Sequence, residues 1–244
     1  MDLRHLAISD FKTLNGSVQE IKLSYQIFGK SLGTAPIILV NHALTGNSNV
    51  AGENGWWSNL IGDGKCIDTE KYTILSFNIP GNGFDGFIIE NYKDFVAGDI
   101  ARIFLWGLEQ LEIDKLFAII GGSLGGGIAW EMTAINPNIT EHLIPVASDW
   151  KSTDWLIANC QIQEQFLVNS KQPVHDARMH AMLCYRTPES FKERFKRSTN
   201  EELKVFNVES WLMHHGKKLQ ERFQLSAYKL MNQLLKSIDI TRNG

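Results

Sequence analysis

The stretch Gly121-Gly122-Ser123-Leu124-Gly125-Gly126-Gly127 sets one hydroxyl among glycines. An apolar run, Leu116 to Ile120, leads into it, and a helix-like segment, Ile128 to Ile135, leads out. This is the pattern of a sharp strand-to-helix turn that lifts a nucleophile above a sheet edge. Residues without side chains let strand and helix pack closely there, and the serine backbone is strained. The plain alternatives are a tight βα turn or a phosphate loop. The Lys-Ser/Thr ending of a Walker loop is absent, while a dinucleotide fingerprint stays open because Gly-x-Gly-like spacings occur in any such run.

A nucleophilic Ser123 needs a base, a carboxylate to orient that base, and N–H donors for the oxyanion. One donor is the backbone N–H of Leu124. The other is expected from the loop after an early core strand, Asn41-His42-Ala43-Leu44-Thr45-Gly46, with the N–H of Leu44 favoured and Thr45 close behind. His42 is read as a brace for that backbone. The base is harder to find. Downstream stand His142, His175, His180, His214 and His215, and none follows a core strand at its end. His142 precedes its strand, so it falls at the wrong edge, and the other four lie in helical sequence. Asp149 and Asp154 follow the last core strand, where each suits capping of the next helix as well as orienting a base.

The elements that must carry these groups are legible. Two short alternating runs between Leu3 and Phe28, broken at Asn15-Gly16, predict an antiparallel hairpin at a sheet edge. Ile37 to Val40 and Tyr72 to Asn78 are continuous apolar runs, as expected of strands buried on both faces of a parallel sheet. A helix fits Phe95 to Leu111. After the serine come a helix from Gly127 to Ile135 and a strand from Leu143 to Ala147. The alternation argues a parallel sheet with helices on both faces. From Ser152 onward only helical patterns remain: Trp155 to Asn169, Val174 to Tyr185, Glu189 to Lys196, Glu201 to His215 and Arg222 to Ile238. We therefore divide the chain into an α/β core, residues 1–150, and a helical subdomain, residues 151–244.

Composition narrows the function. The chain has 244 residues, 43% of them apolar, enough for a real core. A net charge of -3 gives no footprint for nucleic acid or an anionic membrane. Cys66, Cys160 and Cys184 show neither metal spacing nor an even disulfide set. With no apolar N-terminal segment and no membrane-length run, a cytoplasmic protein is expected.

Asn41 to Asn47 with Gly55-Trp56-Trp57 and Gly62-Asp63-Gly64-Lys65, the Gly121 to Gly126 stretch, Ala177-Arg178-Met179 with Tyr185-Arg186, and Leu219 to Phe223 with Ser226-Ala227-Tyr228 together resemble the homoserine O-acetyltransferase family. The resemblance implies an α/β-hydrolase fold with a mostly parallel sheet and an inserted helical lid. It implies an acyl-CoA-dependent transferase of methionine biosynthesis, working through an acyl-serine on Ser123. Acetyl-CoA or succinyl-CoA would be the co-substrate, with no bound cofactor and no metal, and L-homoserine the acceptor. Arg178 and Tyr185 would face the pocket from the lid, where a guanidinium suits a substrate carboxylate. Apart from the resemblance, the residues favour Arg178 as a surface ion-pair residue and Tyr185 as a packed aromatic. A homodimer through the lid is also implied.

Two departures matter. The loop Pro80 to Gly86 is shorter than the family's, and Gly127 replaces a larger residue. The family also returns from the lid to strands carrying the triad Asp and His, which are expected here beyond Gly244. A plain esterase, or an inactive remnant lacking its base, are the alternatives.

Overall fold

The computed structural model describes residues 2–242. The return expected beyond Gly244 lies outside them. Strands β1 (Arg4–Lys12) and β2 (Val18–Gly29) form the predicted antiparallel hairpin. Ile21, Leu23 and Tyr25 point into the core at alternate positions, as a half-buried strand requires. Next come β3 (Ile37–Asn41), the short parallel pair β4 (Ile61–Gly62) and β5 (Ile67–Asp68), and β6 (Thr73–Phe77). Helix α1 (Ala97–Gln110), strand β7 (Leu116–Gly122), helix α2 (Leu124–Ile135) and strand β8 (Thr140–Val146) complete the core. The main sheet runs β1-β2-β6-β3-β7-β8 and is parallel from β6 to β8.

The apolar runs are continuous because both faces of the sheet are covered; every residue of β6 is buried. Leu39, Leu75 and Ile119 pack with α1 and α2 on one face. Helices were expected on the other face too. It is instead covered by the connection between β3 and β6, where Val50, Ala51, Ile61 and Ile67, flanked by Trp56 and Trp57, pack on Ile38, Val40, Ile74 and Ile120. That connection is rich enough in apolar side chains to replace a helix layer.

The remaining helices are α3 (Asp154–Asn169), α4 (Pro173–Cys184), α5 (Pro188–Phe195), α6 (Asn207–Gln220) and α7 (Leu225–Lys236). Thr153 caps α3 by accepting the Leu156 N–H at 3.3 Å, so neither Asp149 nor Asp154 is that cap. The helix expected from Glu201 starts only at Asn207. Before it lies a small exposed hairpin, β9 (Thr199–Asn200) and β10 (Val205–Phe206), turned at Lys204 with φ +56°. Likewise α2 begins at Leu124, not Gly127, because the glycines form its first turn. His142 lies within β8, paired with Ala118, rather than before it.

Helix α7 is not a surface element: Leu230, Met231 and Leu234 are fully buried in the same cluster as the sheet. The segment after it turns back onto α2. Glu131 accepts the Asp239 N–H at 2.9 Å and an Arg242 N–H at 3.3 Å. Among the described residues, no helix is long and apolar enough to cross a membrane.

Candidate active site

Ser123 sits between β7 and α2 with φ +52° and ψ −119°, a conformation costly for any residue with a side chain. It is held there from both sides. Its N–H donates to the Val146 carbonyl at 2.8 Å, and its own carbonyl accepts from Gly126 N–H at 2.9 Å. The tightness of the turn explains the glycines. A Cβ on Gly125 would stand 2.3 Å from the Asn41 carbonyl oxygen, and one on Gly127 would stand 2.1 Å from Ile238 Cδ1. The departure at Gly127 is thus matched by Ile238, which occupies the space.

The loop after β3 is a tight turn, closed by Gly46 N–H donating to the Ala43 carbonyl at 2.8 Å. Such a turn leaves the N–H groups of its corner residues, Leu44 and Thr45, unused by the turn itself. His42 fixes it from below. Its Nδ1 lies 2.8 Å from the same Ala43 carbonyl, and its Nε2 accepts the Ile79 N–H at 2.9 Å. Both contacts are satisfied by a neutral ring carrying its proton on Nδ1. Complete burial drives its pKa down to about 4. His42 is a buried, neutral brace. Below the turn lies a buried amide and hydroxyl network: Ser48 Oγ donates to Gln26 Oε1, and Asn78 Oδ1 accepts from the Ser48 N–H and from Asn82 Nδ2.

A cavity of about 640 Å³ opens over the serine. It is lined by Leu44, Thr45, Ser123 and Asp149 from the core and by Arg178 and Tyr185 from the lid. The backbone of Leu124 begins α2 beside Ser123, where helix N-terminal N–H groups have no partner within the helix. The expected site residues therefore share one cavity or border it. Arg178 donates to the Tyr185 hydroxyl at 3.4 Å with its guanidinium over the ring, and makes no ion pair among the described residues.

No histidine lines the cavity among the described residues. His175 instead bonds Asp176 at 2.8 Å, and His180 accepts from the Gln163 amide at 3.0 Å. His142 stacks edge-on against Phe117, toward the opposite end of the strands.

Sequence reasoning missed the polar wall that Gln163, Tyr228 and Asn232 give the Ser123 cavity. Tyr228 donates to Gln163 Oε1 at 3.1 Å, and Asn232 donates to the Cys160 carbonyl at 2.9 Å. The signal was there: amides on the apolar faces of α3 and α7. Burial pushes the Tyr228 phenol up and the Cys160 thiol up to about 12, so both stay neutral. Arg222 was also missed as a site residue. It donates to the Thr45 carbonyl at 3.0 Å.

A strained serine at the end of a parallel strand, facing a cavity under a helical cap, defines the α/β-hydrolase class. A family model described as the alpha/beta hydrolase fold matches residues 36–162. The homoserine O-acetyltransferase of Chloroherpeton thalassium is 33% identical over 96% of this chain and 70% of its own length. That of Methanocorpusculum labreanum is 29% identical over 93% of this chain and 55% of its own length. The crystal structure of the Staphylococcus aureus homoserine O-acetyltransferase superposes with a TM-score of 0.83 at 29% identity, covering 99% of this chain and 73% of that one. Esterase E22 shares the fold, with a TM-score of 0.84 at 20% identity, covering 100% of this chain and 80% of that one. The chain belongs to the homoserine O-acetyltransferase family of α/β-hydrolase-fold enzymes.

Proposed function

We propose that this chain carries out acyl transfer from acyl-CoA to the hydroxyl of homoserine, in methionine biosynthesis, through an acyl-serine on Ser123. The observation that carries the reading is one cavity shared by the strained Ser123, the turn residues Leu44 and Thr45, and an Arg178 that makes no ion pair among the described residues. Ser123 Oγ attacks the thioester carbonyl as its proton passes to a base, which by the family resemblance is a histidine that follows the lid, and the N–H groups of Leu44 and Leu124 stabilise the oxyanion. The C–S bond breaks, the CoA thiolate takes up that proton, and the homoserine hydroxyl, giving its own proton to the same base, then takes the acyl group from Ser123, whose oxygen regains a proton. Arg178 grips the acceptor's carboxylate, and Tyr185 steadies the guanidinium. We assign residues 1–150 to the core and 151–244 to the lid, and propose a cytoplasmic homodimer joined through the lid.

The test is to mix the chain with acetyl-CoA and map acetyl groups by mass spectrometry. With imidazole supplied as base, acetyl on Ser123, discharged mainly as O-acetylhomoserine, is expected. Adduct that goes mainly to acetate would make the protein an esterase, a reading favoured by the exposure of Tyr185 at the mouth, which admits water. Replacing Arg178 by Lys should raise the homoserine KM by about tenfold and leave Ser123 acylation intact, since a lysine cannot form the bidentate pair.

A further inference from the structure

We propose that Arg222 is a positioning residue: from the corner between α6 and α7 it grips the back of the Ala43–Gly46 turn and holds the oxyanion donors in place. This rests on the acyl-serine reading above. The bond spans 177 positions of sequence, from Arg222 Nη1 to the Thr45 carbonyl at 3.0 Å. Arg222 does not line the cavity. It lines a small hollow with Gly46, Asn82, Phe84 and Gln224, and Thr45 borders both spaces. The guanidinium therefore meets the turn from outside the cavity that holds Ser123.

Its own backbone is fixed. Arg222 N–H and Phe223 N–H both donate to the Leu219 carbonyl, at 3.0 and 2.9 Å, and Leu219 and Phe223 are buried in the core. Among the described residues Arg222 makes no ion pair, so a surface salt bridge does not account for it. Burial and the nearby Arg178 hold its pKa below the ordinary arginine value, yet it stays charged.

The consequence lies in the turn. The peptide between Thr45 and Gly46 is held at both polar ends: its carbonyl by Arg222, and its N–H by the Ala43 carbonyl. Rotation of that peptide would draw the Gly46 N–H away from the Ala43 carbonyl, and that carbonyl shares one peptide plane with the Leu44 N–H. A charge-assisted bond at Thr45 opposes that rotation. His42 holds the Ala43 side of the turn and Arg222 the Thr45 side, one from the core and one from the lid.

The experiment compares the parent chain with Arg222→Met, which keeps the stem, and Arg222→Lys, which keeps the charge; Arg222→Gln replaces the first if it does not fold. Amide hydrogen exchange of the 43–47 segment and single-turnover acylation by p-nitrophenyl acetate are read together, with the thermal midpoint as a check on folding. Arg222→Met should speed exchange of Gly46 N–H about tenfold or more. It should slow acylation by roughly 10- to 100-fold, a smaller loss than removing a donor outright, with little change in the KM for the ester. Arg222→Lys should recover part of both. Unchanged exchange in a folded Arg222→Met overturns the proposal, as does a loosened turn with parental acylation. If the parent chain is not acylated even with imidazole supplied as base, the acyl-serine reading fails, and the exchange comparison alone decides whether Arg222 holds the turn.

Discussion

Ser123 and His42 divide the chemistry of the loops between them. Ser123 carries backbone strain on the order of 1–3 kcal/mol, which persists because Val146, Gly126 and the packed helix over-determine the turn. No histidine among the described residues lines its cavity to take the hydroxyl's proton during attack. External imidazole should therefore speed acylation of Ser123 by p-nitrophenyl acetate well beyond its effect on a Ser123→Ala variant, followed by mass spectrometry. Equal acceleration in both would place the reacting group elsewhere. His42 gives a pH prediction. Its pKa falls from 6.5 to about 4 in the folded chain, so between those values the unfolded chain binds more protons. Its contribution is fully present above pH 6.5 and is lost as pH falls toward 4, on the order of 3 kcal/mol. Urea unfolding at a series of pH values should show this slope, and His42→Gln should flatten it.

At the scale of elements, the join of β7 to α2 sets the tolerances. Alanine at Gly125 would meet the Asn41 carbonyl at 2.3 Å, which is backbone and cannot give. Alanine at Gly127 would meet the end of the Ile238 side chain, which can. Both should destabilise, Gly127→Ala by about 1–3 kcal/mol and Gly125→Ala by more. Ile238→Val removes Cδ1 and leaves Cγ1 at 2.7 Å, so it should relieve the strain at Gly127 in part and that at Gly125 not at all, as thermal unfolding of the double variants would show. A larger loss at Gly127 would mean that Ile238 is locked. The strands and most helices were legible because their periods are simple: continuous apolar runs for β3 and β6, alternation for β2, and 3.6-residue spacing for α1. The hairpin β9–β10 was not, because two-residue strands carry no period and charged residues fill the turn. Nor could periodicity show that the connection between β3 and β6 would serve as a covering layer.

For the molecule as a whole, the lid and core share one hydrophobic cluster, and α7 with the segment after it is the seam. Glu131 is buried, and burial raises its pKa; the Asp239 N–H and Arg242 oppose that shift. Arg242→Met removes the ion pair at 3.3 Å and leaves a buried carboxylate with one remaining partner. The expected loss is roughly 1–3 kcal/mol, recovered in part by Glu131→Gln in the same chain, since a neutral amide is cheaper to bury. A double variant no more stable than Arg242→Met would argue against a buried-charge cost.

The residues alone determined the serine turn, the parallel core, the loop that carries Leu44 and the change to helices after residue 150, because each is written in local spacing and side-chain type. Tertiary structure decided what meets what. It brought Arg178 and Tyr185 over Ser123, set Ile238 into the space left by Gly127, and turned His42 inward as a neutral brace. It also carried Arg222 across 177 positions to the Thr45 carbonyl in the turn after β3. Such long-range contacts depend on how helices pack on a sheet, and no period in the chain encodes them.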